Sequence, residues 1–185
     1  MRIRSKVTSL ALASGLAVAG FAGLATPAHA AQSGSTIATF AITAGSLNIV
    51  VPASTVALGT GTINTGAPSA SATLGSVSVT DTRGALVGNW STGVSSTNFV
   101  TGTSTANETV AAASIAYSAG AATATTGTGV FAPLVIPALA TSAAPGATYA
   151  GVGNNSATWN PTLTFTLGAQ QVAGTYTGTV THSVA

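Results

Sequence analysis

The chain has 185 residues, of which 46% are hydrophobic and only 3% are charged, and it contains no cysteine. Three of its four basic residues lie among the first six positions, so residues 31–185 keep one arginine against two acidic residues, a net charge of −1. Nucleic-acid binders and basic membrane-surface helices need several cations, so this composition excludes both classes. Without disulfides, the fold must be stabilised by packing alone.

The first thirty residues have the pattern of a secretory signal peptide. A basic start is followed by an apolar run over residues 7–24 and by Pro27-Ala28-His29-Ala30, with small residues at −3 and −1 of a cleavage site before Ala31. The alternative is an uncleaved membrane anchor, because the apolar run approaches spanning length. The Ala- and Gly-rich run favours cleavage, which predicts a secreted protein whose residues 31–185 form one domain and have no further contact with a membrane.

The first elements of that domain are predicted from alternating hydrophobicity. Residues 36–43 alternate, with Ala38, Phe40 and Ile42 on one face, and residues 47–51 resume the pattern after a Gly-containing turn. Two such runs joined by a short turn predict a β-hairpin. Residues 56–58 are a further short strand candidate, and residues 59–71 are predicted to be a loop.

A strand over residues 73–80, with Val77 and Val79 pointing inward, is the clearest interior element. It is closed by Asp81-Thr82-Arg83-Gly84, a predicted structural turn. The Asp81 carboxylate is expected to accept backbone N–H groups and to pair with Arg83, while Gly84 permits a positive φ.

Residues 86–95 are predicted to run back as the next strand, with Trp90, Thr92 and Val94 on one face and Phe99 following after a short break.

The middle of the chain is more ambiguous. Residues 108–118 contain helix-favouring alanines, but the alternation in their second half predicts a strand there. Residues 119–129 suit either a loop or a weak edge strand, and residues 130–136, interrupted by proline, suit an edge strand. Residues 139–155 are predicted to be mostly connection, with a possible short strand at 148–152.

The last two elements alternate cleanly. Residues 158–167 place Leu163, Phe165 and Leu167 inward, and residues 174–185 place Tyr176, Val180, His182 and Val184 on one face with hydroxyl side chains on the other. The sum is about eight to ten short strands with no convincing helix after the signal peptide. The predicted fold is therefore all-β, an antiparallel β-sandwich of Greek-key-like topology.

Two blocks of the chain resemble the WxL domains of Gram-positive cell-surface proteins. In that family a strand and an Asp-x-Arg turn precede a Trp-containing strand, as they do over residues 79–84 and 89–99 here. The closing runs 163–167 and 173–181 are similar to the last two strands of the family, so the resemblance covers about residues 40–184. The two Trp-x-Leu tripeptides read Trp90-Ser91-Thr92 and His182-Ser183-Val184 in this chain, which together with its Ala/Gly/Thr-rich composition suggests an actinobacterial branch. The resemblance implies a non-covalent attachment to peptidoglycan.

Three side chains are candidates for binding: Trp90, Trp159 and His182. An exposed indole can stack on a sugar, but Trp90 is in phase with Val94 and so also suits the core, whereas the position of Trp159 beside a strand start favours neither role. His182 stands at the second tripeptide position, where it could contact the wall or sense pH; the alternative is a partly buried imidazole bonded to a neighbouring strand.

No catalytic residue is predicted. Residues 31–185 contain one histidine and two acids, Asp81 and Glu108, and both acids have a structural or solvated explanation. A Ser-His-acid triad or a pair of glycosidase carboxylates would have to use these same groups. Metal ligands are equally scarce, so no metal and no cofactor are expected.

These patterns predict a secreted, non-enzymatic protein of the cell wall. Its expected partners are peptidoglycan, another wall glycan or surface proteins. The alternative is a structural or adhesive subunit that self-associates as a homo-oligomer through uncharged sheet edges. A secreted carbohydrate-active enzyme is the third hypothesis, and it would require Asp81 or Glu108 to be catalytic.

Overall fold

The computed structural model describes residues 34–52, 55–59 and 69–185. The signal-peptide prediction for residues 1–30 therefore lies outside the described residues, as does most of the predicted loop at 59–71. Within the described residues the chain is all-β, as predicted, with two single 3-10 turns at Ala106–Glu108 and Ala112–Ser114. None of these residues belongs to a helix with the length and apolarity that crossing a membrane requires.

The described residues form twelve strands. In chain order they are β1 (Leu47–Val50), β2 (Ser69–Thr73), β3 (Val77–Asp81), β4 (Trp90–Ser96), β5 (Phe99–Val100), β6 (Thr109–Val110), β7 (Ile115–Ser118), β8 (Ala122–Pro133), β9 (Val135–Ile136), β10 (Ala144–Trp159), β11 (Thr162–Thr166) and β12 (Val180–Val184).

All strand pairs are antiparallel, and they form two main sheets. The larger sheet has the order β1-β3-β10-β4-β12, with β8 paired to β10, and β1 also contacts β12, so this sheet is nearly closed. The smaller sheet has the order β2-β11-β7-β9, and β5 and β6 form a separate short pair. The two main sheets pack face to face as a sandwich.

The long strand β10 organises the larger sheet. One of its edges pairs first with β4, from Ala144 to Tyr149, and then with β3, from Asn155 to Trp159. Its other edge pairs with β8, with an irregularity between Val152 and Ser156. Strands β3 and β4 therefore follow one another along the same edge of β10, separated by the excursion at residues 82–89.

The core lies between the sheets and is rich in aromatic rings. Trp90 stacks on Tyr149 at 5.4 Å and on Trp159 at 6.2 Å between ring centroids, and Phe131 lies 5.2 Å from Trp159. The opposite sheet contributes Ile115, Tyr117 and Leu163, which are fully buried. Burial of these rings supplies the packing that a chain without disulfides needs.

Several predicted strands are confirmed. Of the strand predicted over residues 73–80, residues 77–80 belong to β3, where Val77 and Val79 point inward and which has partners on both edges. Thr73 instead ends β2, and residues 74–76 belong to no strand. Strand β4 buries Trp90, Thr92 and Val94 as predicted, although it begins only at Trp90 and leaves residues 86–89 in the excursion.

The predictions for the second half of residues 108–118 and for the two closing runs also hold. They correspond to β7, β11 and β12, and β12 has the expected alternation of half-buried and exposed residues. The bounds are shorter than predicted, because residues 158–159 belong to β10 and Tyr176 precedes β12.

The predicted hairpin at residues 36–51 is wrong. Residues 34–46 form no strand, and β1 pairs instead with β3, from Leu47 opposite Asp81 to Val50 opposite Ser78. Residues 56–58 are not a strand either, although Leu58 packs against the core. The reason is that a strand forms where a partner strand offers hydrogen bonds, and the local alternation does not say which partner that is.

The prediction that residues 139–155 are mostly connection is also wrong, because this stretch belongs largely to β10, the longest of the described strands. The possible short strand at 148–152 lies within β10. From Ala147 to Trp159 the odd-numbered residues are buried or half-buried, but several of these positions hold Ala, Gly or Asn. Small inward residues suppress the hydrophobic alternation on which the prediction depends. Strand β2 was missed for the same reason, since its sequence is Ser-Ala-Ser-Ala-Thr.

Candidate functional site

A partly open apolar cavity of about 900 Å³ borders both main sheets. Its described lining comes from residues that follow β1, from β2 and Leu74, from β5 and β6, and from the chain between β11 and the middle of β12. The large apolar side chains that line it are Val51, Val56, Leu58, Leu74, Phe99, Val110, Phe165, Leu167, Val172, Tyr176 and Val180. The lining residues that the structure describes include no Asp, Glu, Lys or Arg, and we refer to this feature as the apolar cavity.

His182 also lines the apolar cavity, and it is held by a hydrogen-bonded chain through the core. The Oη atom of Tyr117 lies 3.3 Å from Nε2 of His182 and 3.3 Å from Nε1 of Trp159. The indole N–H can only donate, so the Tyr117 oxygen accepts it, while the direction of the Tyr117–His182 hydrogen bond depends on the tautomer of His182. Two predicted site residues, His182 and Trp159, are thus connected through a tyrosine that the sequence did not single out.

The surroundings of these hydrogen-bonded side chains keep His182 and Tyr117 neutral near pH 7. Burial lowers the pKa of His182 to about 4, because desolvation disfavours the imidazolium form. Burial likewise raises the pKa of Tyr117, against the opposing effect of the Trp159 hydrogen bond. Near neutral pH the His182 imidazole is therefore uncharged. One of the two predictions for His182 was a partly buried, hydrogen-bonded imidazole, and the structure shows this arrangement.

The two tryptophans do not offer an exposed face. Trp90 is 4% exposed and Trp159 is 0% exposed, and their rings stack on one another within the core. Trp90 Nε1 donates to Oδ1 of Asn155 at 2.7 Å, and the Asn155 amide donates in turn to the backbone oxygens of Gly88 and Gly153. A sugar could stack on either indole only if the core opened. Of the two roles predicted for Trp90 and Trp159, sugar binding and core packing, the structure shows core packing.

The predicted structural turn at Asp81 is present. Arg83 Nε donates to Oδ1 of Asp81 at 3.0 Å and Arg83 Nη2 donates to Oδ2 at 2.8 Å, while the Arg83 backbone N–H also bonds Oδ1. The hydrogen bonds from the Arg83 side chain, more than its charge, lower the pKa of Asp81 against the effect of desolvation. Gly84 has a φ of 66°, the positive value expected for it.

Glu108 stabilises a different loop through hydrogen bonds. Its Oε2 atom accepts hydrogen bonds from the backbone N–H and the hydroxyl of both Thr103 and Thr105. These donors, first the Thr105 backbone N–H, lower the pKa of Glu108. The structure therefore gives Asp81, Glu108 and His182 separate hydrogen-bond partners and does not join them in one constellation. In the described part of the chain no three His, Cys, Asp or Glu side chains cluster as metal ligands would.

Two features of the site had no signal in the sequence. Asn155 lies in a Gly- and Asn-rich stretch that resembles a turn, yet it is a buried acceptor for Trp90. The described lining of the apolar cavity comes from five separate stretches of chain, so no local pattern indicates it. Tyr117 was predicted to alternate within a strand, but its partners from two other strands could not be predicted from that alternation.

Comparison with known proteins returns no match, whether the chain is compared with protein-family models, with curated proteins or with solved structures.

Proposed function

We propose that this chain is a secreted, non-enzymatic protein of the bacterial cell surface that associates non-covalently with peptidoglycan or another wall glycan. The observation that supports it best is the engagement of both acidic side chains in local structure. Asp81 is bonded to Arg83, and Glu108 is bonded to two threonines of its own loop. General acid–base catalysis would need one of these carboxylates to be directed at a substrate instead.

The wall-binding surface proposed here consists of hydroxyl groups and not of indole rings. Strand β8 is a twelve-residue strand exposed over most of its length, and it carries Thr123, Thr125, Thr126 and Thr128. The hydroxyls of Thr123 and Thr126 are bonded within the fold, to the Thr158 carbonyl and to the Ser156 hydroxyl. The proposed glycan contact is therefore centred on Thr125 and Thr128, whose hydroxyls can donate and accept hydrogen bonds. Because this surface is uncharged, the association should depend little on salt. The resemblance to WxL domains supports the same class of ligand.

The test is co-sedimentation of residues 31–185 with purified peptidoglycan sacculi over a series of salt concentrations. We expect saturable pelleting that survives high salt and that weakens about tenfold, roughly 1.4 kcal/mol, in a Thr125→Val/Thr128→Val variant. A matched control is Thr181→Val/Ser183→Ala, which removes exposed hydroxyls from β12 and should bind as the native protein does. Protein that remains in the supernatant would overturn the proposal, and equal binding by both variants would refute the assignment to β8.

A second candidate function is self-association through the other edge of β8. Among the described residues this strand pairs only with β10, and its sequence contains no charged residue. Natural edge strands usually carry lysines or other charges that block pairing with a second copy. In light scattering after size exclusion we expect concentration-dependent oligomers that a Thr125→Lys/Val130→Lys variant converts to monomer. A native protein that is monomeric at all concentrations would contradict this candidate.

A further inference from the structure

An open, shallow pocket lies on the larger sheet where β4 pairs with β10. Its volume is about 420 Å³, within the range of sites that hold small molecules. Three polar side chains line it: Asn89, which precedes β4, Ser91 of β4 and Thr148 of β10. All of its lining residues belong to the continuously described stretch 69–185, and none of them has a charged side chain. We refer to this feature as the polar pocket.

The register of the sheet brings the polar side chains together on one face. Ser91 is directly opposite Thr148, and Trp90 is directly opposite Tyr149. The Trp90 and Tyr149 side chains are buried in the core, so their neighbours Ser91 and Thr148 point to the outer face of the sheet. Side chains that are directly opposite have Cβ atoms about 5 Å apart, so the two hydroxyls are close enough to bind one ligand ring. Asn89, on the other side of Trp90 in the chain, is exposed.

The Asn89 side chain is held in one orientation by half of its amide group. Its Oδ1 atom accepts the Gly151 N–H at 2.9 Å, which leaves both N–H groups of Nδ2 available. Within the described residues, neither this nitrogen nor the hydroxyls of Ser91 and Thr148 have a hydrogen-bond partner in the protein. The polar pocket therefore presents three unpaired polar groups, one of which has a fixed direction.

The backbone beneath the polar pocket is held by core packing. The Trp90 and Tyr149 rings stack with centroids 5.4 Å apart and planes inclined by 14°. Asn89 and Ser91 flank Trp90 in the chain and Thr148 precedes Tyr149, so all three polar side chains are attached next to a buried anchor. A site that is rigid before binding loses little conformational entropy when the ligand binds.

The chemistry of the polar pocket suits a neutral sugar that carries an amide. The Asn89 nitrogen can only donate, which matches the carbonyl oxygen of an acetamido group, whereas the Ser91 and Thr148 hydroxyls can donate and accept, which matches sugar hydroxyls. The nearby Arg83 donates to the Asn89 carbonyl but is already paired with Asp81. A phosphate or carboxylate in the pocket would therefore lack a free cation to pair with, so the site favours an uncharged ligand.

We propose that the polar pocket binds one N-acetylated hexose of a neutral glycan, with Asn89 donating to the acetamido carbonyl and with Ser91 and Thr148 bonding sugar hydroxyls. This subsite rests on the proposed association with a wall glycan and adds to the surface of β8. Thr128 of β8 is opposite Val152, four residues beyond Thr148 on the same face of β10 and about 13 Å along the strand. A single glycan chain of a few sugars is long enough to contact both.

Titration of isotope-labelled protein, residues 31–185, with an N-acetylglucosamine tetrasaccharide tests the subsite by nuclear magnetic resonance. We expect saturable shifts of the Asn89 side-chain amide and of the Ser91 and Thr148 backbone amides. A β-1,4-linked glucose tetrasaccharide has the same backbone but no acetamido group, and we expect it to bind at least tenfold more weakly. Equal binding of the two sugars, or no saturable shift at these three residues, would overturn the proposal.

Two variants test the assigned contacts. Asn89→Asp keeps the anchoring oxygen but loses both N–H donors, and Ser91→Ala/Thr148→Val removes the two hydroxyls with little change in shape. We expect each to raise the dissociation constant for the N-acetylglucosamine tetrasaccharide at least tenfold. The matched control is Ser95→Ala/Thr181→Val, a serine and a threonine directly opposite each other on β4 and β12 and outside the pocket, which should bind as the native protein does. Native affinity in both pocket variants would refute the assignment.

Sacculus pelleting of the same variants separates failure of the subsite from failure of the proposed function. Pelleting that weakens in Ser91→Ala/Thr148→Val but not in Ser95→Ala/Thr181→Val would support the subsite on the wall glycan itself. Undiminished pelleting of the pocket variants, together with no tetrasaccharide shifts, would overturn the subsite and leave wall binding in place. Tetrasaccharide binding at the pocket without any pelleting would support the sugar site and contradict wall binding.

Discussion

The hydroxyl of Tyr117 lies 3.3 Å from Nε2 of His182, although the two residues belong to different sheets. The same hydroxyl oxygen accepts the indole N–H of Trp159, so Tyr117 connects His182 with Trp159. Burial lowers the pKa of His182 to about 4, so its imidazole is neutral near pH 7. Protonation would place a positive charge in this desolvated environment.

This arrangement predicts that stability falls between about pH 6.5 and pH 4. The pKa of His182 is lowered from its ordinary value of 6.5 to about 4 in the folded state. In that window the unfolded chain binds a proton that the folded chain does not, so the free energy of unfolding decreases as the pH falls, by at most about 3 kcal/mol. Above pH 6.5 His182 adds no pH dependence.

Urea unfolding at several pH values measures this effect, with His182→Gln as the control. Glutamine can still form a hydrogen bond with the Tyr117 hydroxyl, but its side chain does not titrate. Asp81 and Glu108 have lowered pKa values, so the stability they contribute is lost only as the pH falls below their ordinary values of 3.8 and 4.5. The interval from pH 6.5 to 4.5 therefore reports on His182. An equal slope in the native and His182→Gln proteins would contradict the prediction.

The buried pair of Trp90 and Asn155 predicts a large effect of a small substitution. Trp90→Phe keeps an aromatic ring but removes the N–H that donates to Oδ1 of Asn155 at 2.7 Å. The buried acceptor is then left without this partner, and we expect the free energy of unfolding to fall by about 2–4 kcal/mol. The control is Ser91→Ala, an exposed neighbour on β4 that should change stability by less than about 0.5 kcal/mol. Chemical denaturation monitored by near-UV circular dichroism measures both.

In the turn that closes β3, we expect two substitutions to lower thermal stability to different degrees. Asp81→Asn removes the charge that accepts two side-chain hydrogen bonds and one backbone hydrogen bond from Arg83, so the melting temperature should fall by several degrees. Arg83→Lys loses the two-pronged contact but keeps the backbone N–H, so its effect should be smaller. Thermal unfolding would contradict this account if the lysine variant were the less stable of the two.

Close packing of β8 and β10 around Tyr149 predicts that alanine is not tolerated at Gly151. A Cβ atom built there would lie 2.5 Å from Cε1 of the Tyr149 ring and 2.7 Å from the Thr128 carbonyl oxygen. We expect Gly151→Ala to lower the free energy of unfolding by about 1–3 kcal/mol, because neither the buried ring nor the backbone can move away freely. Gly34→Ala, where a Cβ would meet nothing within 4 Å, is the matched control. Equal stability of the two variants would refute the steric argument.

The sequence was informative about individual strands wherever large apolar residues alternate with threonine or serine. Strands β3, β4, β11 and β12 all show this pattern, and the structure confirms each of them. The pattern failed at β10, since Gly151, Gly153 and Asn155 occupy positions in the alternation where an apolar residue would have indicated a strand. A side chain at Gly151 would meet the Tyr149 ring and the Thr128 carbonyl, whereas Gly153 has a φ of 66°, a value that favours glycine.

By itself the sequence determined the all-β class, the turn at Asp81 and Arg83, and the scarcity of groups that could perform chemistry. Each of these follows from local composition, alternation or turn propensity. Only the tertiary structure decided that β1 pairs with β3, that Trp90 and Trp159 stack inside the core, and that His182 bonds Tyr117 beside an apolar cavity. These are contacts between residues far apart in the chain, and their energies depend on which strands become neighbours, which a local pattern does not specify.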